Sequence, residues 1–144
     1  MIRFFIDASV LFSAAYSARG YSRNLFSLAA AEQPLVGLVV SEDVLLETRR
    51  NIAYSVPEKM PTLERLFGAV HFEIVNPAQR SVVGAARLVA FKDAPIVAAA
   101  RKARVHALVT FDEKHLLRNA VLASYIRAPV IRPQQAVEMV TKGS

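Results

Sequence analysis

The sequence predicts an α/β domain: three layers, α/β/α, around a roughly five-stranded parallel sheet. Three observations predict it. Short continuous apolar runs recur along the chain, helical patterns separate them, and a cap or breaker residue stands at almost every junction. A strand covered on both faces has no polar side to alternate, so Leu35-Val36-Gly37-Leu38-Val39-Val40 reads as a central member of such a sheet.

Taken in order, Ile2-Arg3-Phe4-Phe5-Ile6 is the first strand, followed by a helix from about Ser9 to Ala18 that Arg19-Gly20-Tyr21 breaks. Ser22 is read as the N-cap of a helix through Ala31, and Pro34 ends it before the second strand at Leu35–Val40. Ser41-Glu42-Asp43 then opens a helix to about Ala53, a cap followed by acids that suit the helix dipole. Pro57-Glu58-Lys59 starts a helix to Phe67, and Val70–Val75 is the third strand. Asn76-Pro77 turns the chain into a helical segment Gln79–Val89, and Asp93 caps a helix Ala94–Ala103 that tolerates Pro95 in its first turn. Ala107–Thr110 is the fourth strand, Glu113–Asn119 a short helix, and Ala128-Pro129-Val130-Ile131 a fifth strand whose proline suits an edge. Pro133 opens the last helix.

The chain of 144 residues is expected to be one domain, 1–144, burying roughly 70% of the surface its unfolded form exposes. Eighteen Lys and Arg against twelve Asp and Glu give a net charge of +6, which favours polyanions. There is no cysteine, so disulfides and thiolate metal sites are excluded, and any metal must be held by oxygen or imidazole. No apolar run approaches the ~20 residues that span a bilayer. The N-terminus carries no basic leader, so a cytoplasmic protein without membrane association is expected. With five glycines and no phosphate-loop pattern, nucleotide-cofactor binding is not expected.

Against this basic background four acids stand in places hard to explain as solvated surface. Asp7 follows the first strand, Asp112 follows the fourth, Asp93 precedes Ala94-Pro95-Ile96-Val97-Ala98, and Glu47 lies inside the helix opened by Ser41. Ligands of open parallel sheets sit beyond the carboxyl ends of the strands, and all four acids can reach that rim. Ionised carboxylates about 6 Å apart repel by ~3 kcal/mol at an effective dielectric near 20. Gathered together, they would either share protons or bind divalent cations such as Mg²⁺ or Mn²⁺. With metal, such a pocket activates water for attack on a phosphodiester; without it, some other acid–base role follows.

Each acid also has a plainer reading. Asp7 can be a turn residue, Asp93 and Asp112 helix caps, and Glu47 a surface residue paired with Arg50 or replaced by Asp43. His71 and His106 flank strands as structural residues, while His115 and Glu113 are open candidates beside Asp112. Arg19, Arg23, Arg49, Arg50 and Lys92 lie near the rim in sequence and are candidates for the phosphates of a polyanion, although each taken singly reads first as an ordinary solvated surface charge. Tyr16 and Tyr21 suit either base stacking or a dimer interface. A haloacid-dehalogenase-type phosphatase also starts with a strand-end Asp, but would want a second Asp where Ser9 stands.

The segments Phe5-Ile6-Asp7-Ala8-Ser9-Val10-Leu11, Val40-Ser41-Glu42-Asp43-Val44-Leu45-Leu46-Glu47, Asp93-Ala94-Pro95-Ile96-Val97-Ala98-Ala99-Ala100 and Leu108-Val109-Thr110-Phe111-Asp112 resemble, in order and spacing, the successive motifs of PIN domains. The resemblance implies a Mg²⁺- or Mn²⁺-dependent endoribonuclease of single-stranded RNA, often a homodimer. Its metal-binding and catalytic acids would be Asp7, Glu47, Asp93 and Asp112, supported by the hydroxyls of Ser9 and Thr110. The size is similar to that of VapC-type toxins, which implies a cognate antitoxin partner. The competing expectation is a PIN-like module that binds RNA or protein with little or no catalysis. Two departures stand out: Ser9 where relatives often carry Asn, and Lys114 where many carry a further acid.

Overall fold

The computed structural model describes residues 1–142. Five strands form one sheet: β1 (Ile2–Ile6), β2 (Val36–Val40), β3 (Glu73–Ile74), β4 (Ala107–Val109) and β5 (Val130–Ile131), in the order β3-β2-β1-β4-β5 with every pair parallel. Among the described residues, eight α-helices connect and cover them: α1 (Ala8–Tyr16), α2 (Tyr21–Ala30), α3 (Glu42–Ser55), α4 (Met60–Ala69), α5 (Gln79–Ala85), α6 (Ala94–Ala103), α7 (Leu122–Ile126) and α8 (Pro133–Lys142).

Right-handed crossovers explain the layers. The chain moves outward from β1 to β2 to β3, which puts α1 to α4 on one face, then returns to β4 and β5 with α5 to α7 on the other. The contacts agree, with α1 packed on α2, α3 and α4, and α6 packed between α5 and α7. The order reverses between β1 and β4, and that switch point is where a parallel sheet opens a crevice at its carboxyl rim.

Central strands were legible because they are buried on both faces. Phe4, Phe5, Leu38, Val39, Leu108 and Val109 are all sealed from solvent. In α6 the consecutive Ala98, Ala99 and Ala100 are buried too, small enough to seat that helix closely on the core.

Local details differ from the sequence expectation at the margins. The third strand pairs only at Glu73–Ile74, with Val75 adding one bond to the Val40 carbonyl, so Val70 to Phe72 form the approach to an exposed edge. The helix expected to reach Val89 stops at Ala85 and is followed by a turn and a 3₁₀ turn, Phe91–Asp93. Gly20, at φ 126°, occupies the N-cap position of α2, so Ser22 lies inside the helix with a buried hydroxyl that has no partner. Only glycine enters that backbone region without strain, which is why the start moved two residues earlier. Glu113–Leu117 is a π-helical turn rather than an α-helix, with Asp112 capping it.

Candidate active site at the carboxyl rim

Asp7 leaves β1 at the switch point, its backbone N–H still tied to the Val109 carbonyl of β4 at 3.1 Å. Its side chain is 7% exposed and both of its oxygens accept hydrogen bonds. One oxygen accepts from the Ala8 N–H at 2.8 Å, capping α1, and the other accepts from the hydroxyls of Ser9 at 3.0 Å and Thr110 at 2.7 Å. Thr110 in turn accepts from the Asp112 N–H at 3.0 Å, and Ser9 accepts from the Phe111 N–H at 3.1 Å. The two hydroxyls therefore stitch the ends of β1 and β4 together while they orient Asp7.

Thr110→Val tests that stitching. It removes one donor from a buried carboxylate and strands the Asp112 N–H, an expected loss of about 1–3 kcal/mol in chemical denaturation. A loss within error of zero would show that neither bond matters.

Asp93 stands at the N-cap position of α6, but with helical backbone angles and no capping bond from its side chain. Its expected role as a cap is thereby corrected. The carboxylate turns into the crevice instead, 7% exposed, with Oδ2 buried and lacking a hydrogen-bond partner. Asp112 accepts from the His115 N–H at 2.9 Å, and the His115 Nδ1 lies 3.3 Å from the same carboxylate oxygen. Ser41 caps α3 through the Val44 N–H, and that helix carries Glu47 one turn and a half along to the rim.

All four acids line one cavity of about 340 Å³, together with Ser9, Asn51, Lys92, Ile96 and Phe111. Burial pushes the Asp7 carboxyl above its ordinary range, against the pull of Thr110, Ser9 and Ala8, and Asp112 adds to the rise. Glu47 is also raised, first by burial and then by the charges of Asp7 and Asp93, with Lys92 and Arg50 opposing. Glu47 keeps substantial solvent exposure, so water screens its rise most. Asp93 is raised by burial, with Asp112 and Asp7 adding to the effect and Lys92 and His115 opposing it. Crowded, partly dehydrated carboxylates of this kind are poised to accept either protons or a cation.

The donor set suits a divalent ion. Asp93, Asp112 and His115 each offer a ligand atom, all within 4.8 Å of one another, and the orphaned Asp93 oxygen is the kind of buried acceptor that a cation would satisfy.

Other candidates fall elsewhere. Asp43 lines a separate surface cavity with Glu42 and Asn76, so it does not replace Glu47. Glu113 pairs with Arg118 and Arg132, away from the acids. Lys92 lines the cavity and Arg50 lies near enough to act on Glu47. Arg49 is taken up by Glu64 at 3.0 Å and lies over the Phe67 ring, Arg23 donates to the Ala14 carbonyl, and Arg19 is exposed in the turn after α1. His106 Nδ1 accepts from the Arg3 N–H at 3.0 Å, a bond between strand ends, and His71 is exposed. Asn51 and Phe111 were not singled out from the sequence. Asn51 had a usable signal, standing four residues after Glu47 on the same helix face.

A family model described as "PIN domain" matches residues 3–114, most of the chain. The protein belongs to the PIN-domain family, whose members are in general nucleases. Among solved structures, PAE2754 from Pyrobaculum aerophilum superimposes with a TM-score of 0.66 at 16% identity, covering 98% of this chain and 96% of that one. VapBC2 from Rickettsia felis, bound to a DNA fragment from the promoter, gives a TM-score of 0.62 at 12% identity, covering 91% and 98%. At such identities the likeness is one of fold. No curated protein matches the sequence.

Proposed function

We propose that the protein is a Mg²⁺- or Mn²⁺-dependent endoribonuclease that cuts single-stranded RNA, and that it is the toxin of a toxin–antitoxin pair. The observation that carries the nuclease reading is the convergence of Asp7, Glu47, Asp93 and Asp112 on one crevice at the switch point of the sheet. The toxin reading is supported by family, size and the fold shared with a VapBC toxin–antitoxin complex.

In this reading Asp93, Asp112 and Asp7 hold the metal, with Glu47 binding directly or through water. His115 is well placed as an added donor, which tilts the set toward Mn²⁺ because imidazole joins the carboxylates. The ion, when bound, supplies charge that stabilises a phosphodiester under attack by water. The chain's own residues do the rest. Ser9 and Thr110 hold Asp7 in one orientation, and carboxylates whose proton affinity is raised are suited to taking a proton from attacking water. Lys92 and Arg50 supply positive charge at the lip for the flanking phosphates, and Phe111, 42% exposed on the cavity wall, offers a face for a base.

The second reading, a PIN-like module that binds RNA or a protein without cutting, predicts binding alone. Incubation of single-stranded RNA with the protein and Mn²⁺, and again with EDTA, separates the two. Cleavage that needs Mn²⁺ is expected. Intact RNA in both arms, with binding retained, would establish the module instead. Purification from the source organism should bring along a small antitoxin; a chain that purifies alone and is harmless when expressed would remove the toxin assignment.

A further inference from the structure

A second cavity, about 860 Å³, is larger than the acidic one and separate from it. It lies where the first turn of α5 meets the carboxyl-terminal ends of α6 and α7, and Arg80, Arg101, Lys102, Arg104 and Arg127 line it without a single acid. Because α6 begins immediately after Asp93 and rises for ten residues, this cavity lies about 15 Å from the carboxylates, at the opposite end of the same helix.

A plainer account is that basic residues at helix carboxyl ends merely offset the helix dipole. Two helix ends carry about −0.5 charge each, against five cations, so roughly four positive charges remain. None of the five is paired with a carboxylate among the described residues, whereas Arg3, Arg49, Arg118 and Arg132 all are. Lys102 is held by the Asn76 carbonyl at 2.8 Å, and Arg101 lies 4.4 Å over the Tyr125 ring, so two of the cations are fixed in place rather than loose in solvent.

The backbone adds an independent observation. Arg104 (φ 53°) and Arg127 (φ 61°) are the non-glycine residues with positive φ among those described, each ends a helix, and both line this cavity. Glycine is the ordinary occupant of such a position, and a side chain there costs stability. Strain kept at two arginines facing one cavity points to a use for their charge.

We propose that this cavity is a second phosphate-binding site, which holds the backbone of the single-stranded RNA whose cleavage is assigned above to the acidic rim. The proposal rests on that assignment for the identity of the RNA. An RNA strand laid along the α5–α6 side would be anchored by arginines at one end of α6 while the reacting phosphate sits at the other. Binding sites of roughly 4–16 nucleotides are common in single-strand binders, so one strand occupying both is ordinary.

The test uses Arg104→Gly together with Arg127→Gly, because glycine relieves the strained backbone as it removes the charge. Thermal stability should hold or rise, which separates lost binding from lost folding. Binding of a 20-nucleotide oligouridine is measured by anisotropy across salt in an Asp7→Asn background, with a duplex DNA of equal length in parallel. The expected result is RNA affinity lowered about tenfold and a salt slope reduced by roughly 1.4, two phosphate contacts at ~0.7 each. With Asp7 restored, cleavage of long RNA should slow while that of a trinucleotide, too short to span α6, is unchanged. Unaltered RNA affinity and slope would overturn the proposal, as would a loss confined to duplex DNA. Since binding is read without cleavage, absence of nuclease activity in the native protein would defeat the function assigned above and leave the binding result standing.

Discussion

Asp7→Asn is expected to reduce metal-dependent RNA cleavage by roughly 10³-fold or more, about 4 kcal/mol in the barrier, while the protein stays folded. Asn is isosteric: its one oxygen can still accept from the Ala8 N–H, and its amide N–H₂, standing where the second carboxylate oxygen was, can donate to the hydroxyls of Ser9 and Thr110, so the link between β1 and β4 survives in large part with those bonds reversed. What it loses is a buried negative charge whose burial is itself unfavourable. Metal-free stability should therefore be equal or higher in the variant. Measured under Mn²⁺ with a defined single-stranded RNA, a drop below tenfold would remove Asp7 from the chemistry. A variant that is inactive because it is unfolded would show in its circular dichroism and would say nothing for catalysis.

The second large effect is a linkage between pH, metal and stability. Asp7, Glu47 and Asp93 all have carboxyls raised from ordinary values of 3.8, 4.5 and 3.8. A raised carboxyl binds its proton more tightly in the folded state. Its effect on stability is neutral below the ordinary value and turns unfavourable as pH rises through the raised one. The metal-free protein should therefore lose stability from these groups as pH rises from about 4 toward neutral, and Asp7→Asn should lose less. Ion pairs such as Arg3–Glu73 and Arg49–Glu64 act in the opposite sense, but they are solvent-exposed and contribute little. A divalent cation replaces the missing protons. At a hundredfold excess over Kd it adds about 2.7 kcal/mol. For a chain of this size that is roughly 5–10 °C in Tm at neutral pH, shrinking toward pH 5 as protons compete. Melting curves with Mn²⁺ and with EDTA at both pH values check this. A shift that is absent, or that grows on acidification, would contradict an acidic cation site.

The competing module reading meets the same two experiments from the other side. A pocket that had ceased to act would still show the pH linkage, since that depends on burial and charge alone. It would not show cleavage. The pairing of the two measurements is therefore informative in a way that neither is alone.

How much of this could be read without the fold varies with the physics of each element. The strands β1, β2 and β4 are continuous apolar runs because both their faces are covered, and that leaves an unmistakable mark in composition. The two outer strands pair over two residues each, and edge pairing of that length leaves almost none. Asp7 and Asp112 were recognisable as strand-end acids, since alternation of strand and helix implies a rim and a rim implies where ligands sit. Asp93 is a harder case. An acid before Ala94-Pro95 looks like a cap, and only the backbone angles show that its side chain is released into the crevice.

By itself, then, the sequence determined the layered parallel fold, the PIN-type order of motifs and which four acids to watch, because burial pattern and chain order are one-dimensional properties. Tertiary structure decided what depends on side chains from distant segments meeting. It drew His115 and Asn51 to the acids and turned Glu113 away to Arg118 and Arg132. It spent Arg49 on Glu64, and it brought Arg80 and Arg127 to the basic run Arg101-Lys102-Ala103-Arg104 around a second cavity at the far end of α6. Charge acts through space, and where a cation sits relative to an acid is set by packing rather than by its place in the chain.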